Sequence, residues 1–267
     1  MTLVNSALDV QSSNSIDTVQ KLQFLVDAAN RVLAYPAGQA APILSDFLAL
    51  GLDAVNLGNL AALQRGIAAT NADGSDVRTL TQLRSLLNAA GSDADVALTT
   101  VQNFDGQGAA PSAQTFATLG VTTSQPADLA AWLATTPTSA KSSIAKVQQV
   151  ASAFAALQLS ADGQPGEASP LLTQAQLQSL GVSGLNATSA TLLSSVVSVK
   201  PLTDVDTLPK LQALAEATKA VVALADGVAG NGQSLTQQHL AALGVNNVDS
   251  PVKLTLVKSV LDAQSGG

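Results

Sequence analysis

The sequence predicts an all-α fold of tandem three-helix repeats, and two periodic features carry that expectation. First, Leu172-Thr-Gln-Ala-Gln-Leu-Gln-Ser-Leu-Gly-Val182 returns almost letter for letter as Leu235-Thr-Gln-Gln-His-Leu-Ala-Ala-Leu-Gly-Val245. Weaker copies run Ile43-Leu-Ser-Asp-Phe-Leu-Ala-Leu-Gly-Leu52 and Ser112-Ala-Gln-Thr-Phe-Ala-Thr-Leu-Gly-Val121, so the glycines stand at 51, 120, 181 and 244, in steps of 69, 61 and 63 residues. Second, a longer apolar pattern recurs with register residues Leu22, Leu83, Val147 and Leu211, in steps of 61, 64 and 64. Self-similarity at a fixed period marks supersecondary units that bury their apolar faces against neighbours.

The first helix of each unit is short and ends at a glycine. In the best copy Thr173 stands at the N-cap with Gln176 three residues on, a capping-box spacing, and Gly181 takes the left-handed position past the helix end. The residue four before the glycine is Phe47, Phe116, Leu177 or Leu240, and the residue before it is Leu50, Leu119, Leu180 or Leu243; both positions are expected in the core. A second helix follows five residues later, with candidate caps Asn56, Gln125, Asn186 and Asp249. Its apolar face carries Leu60, Leu63 and Ile67, then Leu129, Trp132 and Leu133, then Leu193, Val196 and Val197, then Leu254, Val257 and Leu261. The third helix carries the register residues and stops at Asp105-Gly, Asp162-Gly or Asp226-Gly linkers.

Residues 1 to about 10 read as the tail of a second helix, and a third-type helix runs from about Ile16 until Pro36 and Gly38 end it. The segment from Gly91 to Phe104 is read as a broken or added helix that explains the longer first step. The domain division is therefore a back-half repeat at 1–38, a repeat with an extra helical segment at 39–107, full repeats at 108–164 and 165–230, and a front-half repeat at 231–267. Units of about 61–69 residues are small for independent cores, so they are expected to share them and to stack into an elongated array.

Composition narrows the partners. A formal charge of -7 with scattered Lys and Arg argues against nucleic acid, whose phosphates call for clustered cations. Only 3% of residues are aromatic, so the cores consist of small aliphatic contacts. The lack of cysteine removes disulfides and thiolate metal sites, and no apolar run is long enough to span a membrane. The first residues lack the basic region of a signal peptide.

A short helix closed by Leu-Gly-Val, a second helix, and a third opening on Val205-Asp-Thr-Leu208 resembles the tandem three-helix repeats of large bacterial surface or secreted adhesins. It is also distantly similar to the albumin-binding GA module, although this chain has few of the lysines that the module carries. The resemblance implies an extracellular or cell-surface location. No catalytic, cofactor-binding or metal-binding residue is expected. His239 is the single histidine, at the N3 position of a capped helix, and reads as solvated. Asn71-Ala-Asp-Gly-Ser-Asp76 has alternating oxygen ligands but no carboxylate at the last position of a calcium loop, which favours a plain turn over a weak calcium site. Trp132 reads as a packing residue rather than a ligand anchor, and Gly227, Gly230 and Gly232 lack the preceding strand of a phosphate loop.

The function expected is therefore structural and non-enzymatic: a stalk, spacer or self-assembling filament or surface-layer element, with a protein-binding adhesin module as the alternative. The two ends read as complementary half-repeats, so the partner is either another copy of the chain or sequence outside this stretch.

Overall fold

The computed structural model describes residues 2–12, 15–164, 170–225 and 234–263. Among them it is all-helical, with thirteen α-helices and no strand beyond an isolated bridge between Asp162 and Pro201. Chain contacts divide it into two compact units. Unit 1 is Met1–Asn103, Pro111–Pro126 and Ser143–Gln148; unit 2 is Phe104–Ala110, Ala127–Ser142 and Gln149–Gly267.

Unit 1 begins with α1 (Thr2–Leu8) and α2 (Val19–Ala34). The Thr18 side chain caps α2 by accepting from the Lys21 amide, and a 3₁₀ turn over Tyr35–Ala37 leads into α3 (Leu44–Ala49). Asp46 of α3 is fully buried and makes a bidentate pair with Arg31 of α2, one bond being 2.9 Å from Nε. Asp46 also accepts the Ile43 amide at 2.8 Å, so one carboxylate joins two helices and caps one of them. The bonded carboxylate holds the Arg31 guanidinium above its usual range. Next come α4 (Leu60–Ala68), α5 (Leu80–Asn103) and α6 (Ala113–Thr118). Leu25, Val32, Phe47, Leu63, Ile67 and Leu83 form the centre of the unit's core.

Two expectations change here. The segment after Gly91 is not a broken or separate helix, because α5 runs unbroken for 24 residues. Its buried stripe of Leu83, Leu87, Ala90, Ala94, Ala97 and Val101 keeps helical spacing past the glycine, and that burial outweighs the roughly 1 kcal/mol that a mid-helix glycine costs. Asn56 is not the cap of α4: its side chain accepts from Gly58 in a local turn, and Asn59 precedes the helix instead.

Unit 2 holds most of α7 (Pro126–Thr135) and of α8 (Ile144–Ser160), then α9 (Gln174–Ser179), α10 (Ala187–Ser198), α11 (Leu208–Leu224), α12 (Gln237–Ala242) and α13 (Pro251–Asp262). Asn186 caps α10 as expected, accepting from Ser189. α7 opens at Pro126, directly after Gln125. The last cap moves one residue, to Ser250, because Asp249 instead pairs with Lys253 at 2.7 Å. α11 packs along α10, and α12 and α13 pack on α11 through Ala220, Leu224, Leu235 and Leu240.

Two hydroxyls link distant segments. The Leu80 amide at the start of α5 donates to Ser6 of α1 at 3.1 Å, and the Leu208 amide at the start of α11 donates to Thr135 of α7 at 3.1 Å. Each satisfies a helix-start donor that has no partner in its own helix.

Candidate functional site

The feature built most consistently is the turn that closes each short helix. Gly51, Gly120, Gly181 and Gly244 all adopt left-handed backbone, with φ between 72° and 96°. In every copy the glycine amide bonds the carbonyl three residues back, at 3.0–3.1 Å, and the next amide bonds the carbonyl five back, at 2.9–3.0 Å. This is the Schellman arrangement, and it points one apolar side chain before the glycine and one after it into the same core. Phe47, Phe116, Leu177 and Leu240 are buried in all four copies.

Cover separates the copies. Over the third turn, a Cβ at Gly181 would lie 3.0 Å from Cδ2 of Leu208 at the start of α11, and Gln212 one turn later accepts the Ser183 amide at 3.0 Å. Over the second turn, Gln148 donates to the Leu119 carbonyl at 2.7 Å from the start of α8. Over the first, Val10 and Gln11 lie against Gly51. The fourth turn is bare, with nothing within 4 Å of a Cβ at Gly244. Consequently Leu52, Val121 and Val182 are at most 6% exposed, whereas Val245 is 44% exposed. Leu243 is half-buried, so the expectation that it is core like Leu50, Leu119 and Leu180 does not hold. The helix start that covers the second and third turns has no counterpart over the Gly244 turn among the described residues.

The converse face lies at the start of α2. Leu83, Val147 and Leu211 are fully buried, but Leu22 at the same register is 40% exposed and Val19 85%. Leu208, which holds Val19's place in α11, is buried against its turn. Among the described residues, Val19 and Leu22 at the start of α2 are thus left exposed and the Gly244 turn is left uncovered.

The remaining candidates are local structure. Trp132 is fully buried and packs on Phe154 with ring centroids 5.3 Å apart, which removes it as a surface anchor. His239 stands at N3 as expected, but it is half-buried rather than solvated, because α12 packs on α11, and its Nδ1 is enclosed without a partner among the described residues. Asp73, Asp105 and Asp162 each accept the amide two residues on at 2.9 Å, with a left-handed glycine between, so the Asp-Gly segments share one turn geometry. At Asp73 that hydrogen bonding lowers the carboxyl pKa. Asp76 turns inward to Asn71 at 2.7 Å. No grouping of three or more metal-ligating side chains occurs among the described residues. The Asp226 linker and Gly227, Gly230 and Gly232 lie outside the described residues.

Nothing in Thr138-Ser-Ala-Lys141 signals that Lys141 is buried. Its ammonium is buried and donates to the Leu133 carbonyl at 2.8 Å and the Phe104 carbonyl at 3.0 Å, closing the ends of two helices. Burial lowers its pKa, and Asp105 partly offsets that. A concavity of about 930 Å³ in unit 1 has Val10, Phe24 and Leu48 in its wall and Lys21, Asp53 and Arg84 among its charged groups. Its Ser12 and Ser15 hydroxyls bond each other at 3.0 Å. No helix among the described residues is long and apolar enough to cross a membrane. Comparison of the chain with protein-family models, curated proteins and solved structures finds no match.

Proposed function

We propose that this chain is a structural, non-enzymatic segment of tandem three-helix repeats from an extracellular or cell-surface bacterial protein, acting as a stalk, spacer or self-assembling element. The observation that supports this reading is the same glycine turn formed four times, with two of the turns gripped by a glutamine at one register of the following third helix. The side chains that recur with the period are packing and capping groups, the materials of a scaffold. The location rests on the resemblance to bacterial surface repeats. In this reading the repeats stack end to end. Solution mass over a concentration series tests it: a constant monomer mass supports a spacer, and a rising mass supports a self-assembling element. A small-angle-scattering radius of gyration near the globular value of about 18 Å would contradict the stacking.

A protein-binding adhesin module is the second reading, favoured by the apolar surface of α13, where Val252 and Leu256 are both largely exposed. Beads carrying the chain should then adhere to host cells, and Val252→Ser with Leu256→Ser should reduce that adhesion. Equal adhesion by the double variant removes this reading.

A further inference from the structure

We infer that the bare turn at Leu243-Gly244-Val245 docks the first two turns of α2 from a second copy of this chain. The inference rests on the repeat reading above and adds the occupant and its contacts. The template is intramolecular. α11 opens with Thr207, Leu208, Leu211 and Gln212; Leu208 lies over Gly181, Leu211 is buried and Gln212 bonds Ser183. α8 repeats the series as Ser143, Ile144, Val147 and Gln148, with Val147 buried and Gln148 bonded to Leu119. α2 has the same series in Thr18, Val19, Leu22 and Gln23. Here both apolar members face solvent, and Gln23 bonds Asp27 one turn along its own exposed surface at 2.9 Å.

The receiving face has matching gaps. Val245 is uncovered, and Val260 on α13 is exposed where its counterpart Val196 on α10 is buried under α11. This face is continuous with the existing packing of α12 and α13 on α11, where Val248, Leu254, Val257 and Leu261 are partly buried, so a docked helix extends a formed core. In the complex Val19 covers Gly244, Leu22 covers Leu243 and Val245, and Gln23 exchanges Asp27 for the backbone at Leu243 or Asn246. α1 already lies along α2, so the docked copy brings its turn and the start of α13, while the last turns of α13, which bury no side chain, pass outside α1. The exposed apolar side chains involved amount to a few hundred Å², short of the roughly 1,200 Å² that stable interfaces bury, so the contact is weak and concentration-dependent. Each copy carries one helix and one turn, and a heterologous contact of this kind propagates unless it closes into a ring.

The test uses the full chain with Leu22→Asp or Val245→Asp, both at exposed positions, and sedimentation equilibrium up to millimolar concentration. The unsubstituted chain should gain mass with concentration, and each variant should stay monomeric with an unchanged helix signal. An equimolar mixture of the two variants should reach the mass of two chains and no more, because one intact helix meets one intact turn. A chain that stays monomeric throughout, a variant that assembles as before, or a mixture that stays monomeric each overturns the inference. Leu22→Ser and Val245→Ser give the same readout should an Asp variant lose helix signal. Failure of the repeat reading shows separately, as an unchanged unfolding midpoint for Leu180→Ala.

Discussion

Leu180→Ala and Leu243→Ala make the same deletion at the same turn position under different cover. Leu180 is fully buried beneath a turn that the start of α11 closes. Removing its branched end takes away transfer free energy and leaves a cavity that the fixed turn cannot collapse, at a cost of about 2–5 kcal/mol. Leu243 has no such cover and is half-buried, so solvent fills the space left behind. The cavity contribution then drops out, and the partial loss of apolar burial costs about 1 kcal/mol. Both residues belong to unit 2, so one transition reports both. Urea unfolding followed by far-ultraviolet circular dichroism is the assay. With a slope of about 1–3 kcal/mol/M, Leu180→Ala should lower the midpoint by about 1 M or more, and Leu243→Ala by a few tenths of that. Equal shifts, or none at Leu180, would refute the account of the covered and bare turns.

The glycines of the same two turns offer a second contrast. Gly181→Ala should cost about 2–3 kcal/mol, combining left-handed strain with displacement of Leu208, whereas Gly244→Ala carries the strain alone, about 1–2 kcal/mol, as read by thermal melting. Asp46→Ala should destabilise unit 1 by about 1–3 kcal/mol, because the Ile43 amide loses its acceptor while the half-exposed Arg31 turns to water; an unchanged melting temperature would show that the pair contributes nothing net. For Lys141 the folded-state pKa lies below its unfolded value, so the unfolded chain holds the proton more tightly. Stability of unit 2 should therefore rise with pH across the window between the folded pKa and 10.5, and Lys141→Met should flatten that rise in a plot of urea midpoint against pH.

What could be read from the sequence was what local chemistry dictates. The left-handed glycines, the Thr173 and Asn186 caps and the buried Phe47, Phe116 and Leu177 follow from residue type and spacing within one turn of helix. Cap positions slipped at Asn56 and Asp249, whose side chains found other partners in Gly58 and Lys253, and at the second site Ser250 caps α13 instead. Continuity of α5 through Gly91 was hidden because the glycine signal is local, whereas the alanine stripe that overrides it is buried by distant residues. The partial exposure of Leu243 was hidden for the same reason. Period alone assigns it to a core, but burial depends on which distant segment packs over the turn. Arg31 with Asp46, and the hydroxyls of Ser6 and Thr135 at distant helix starts, pair residues whose separation follows no motif.

The aromatic composition that keeps the cores thin also gives the chain a built-in pair of optical reporters. Its one tryptophan, Trp132, lies in unit 2, sealed from solvent against Phe154, while its one tyrosine, Tyr35, lies in unit 1 at the end of α2. Excitation of indole alone follows unit 2, and the tyrosine signal follows unit 1, so whether the two units melt together or in sequence can be watched in the unlabelled chain. Because the indole begins in a dry site, its emission should shift sharply to the red at the moment unit 2 opens, at a temperature different from that of the change at Tyr35 if the units are uncoupled.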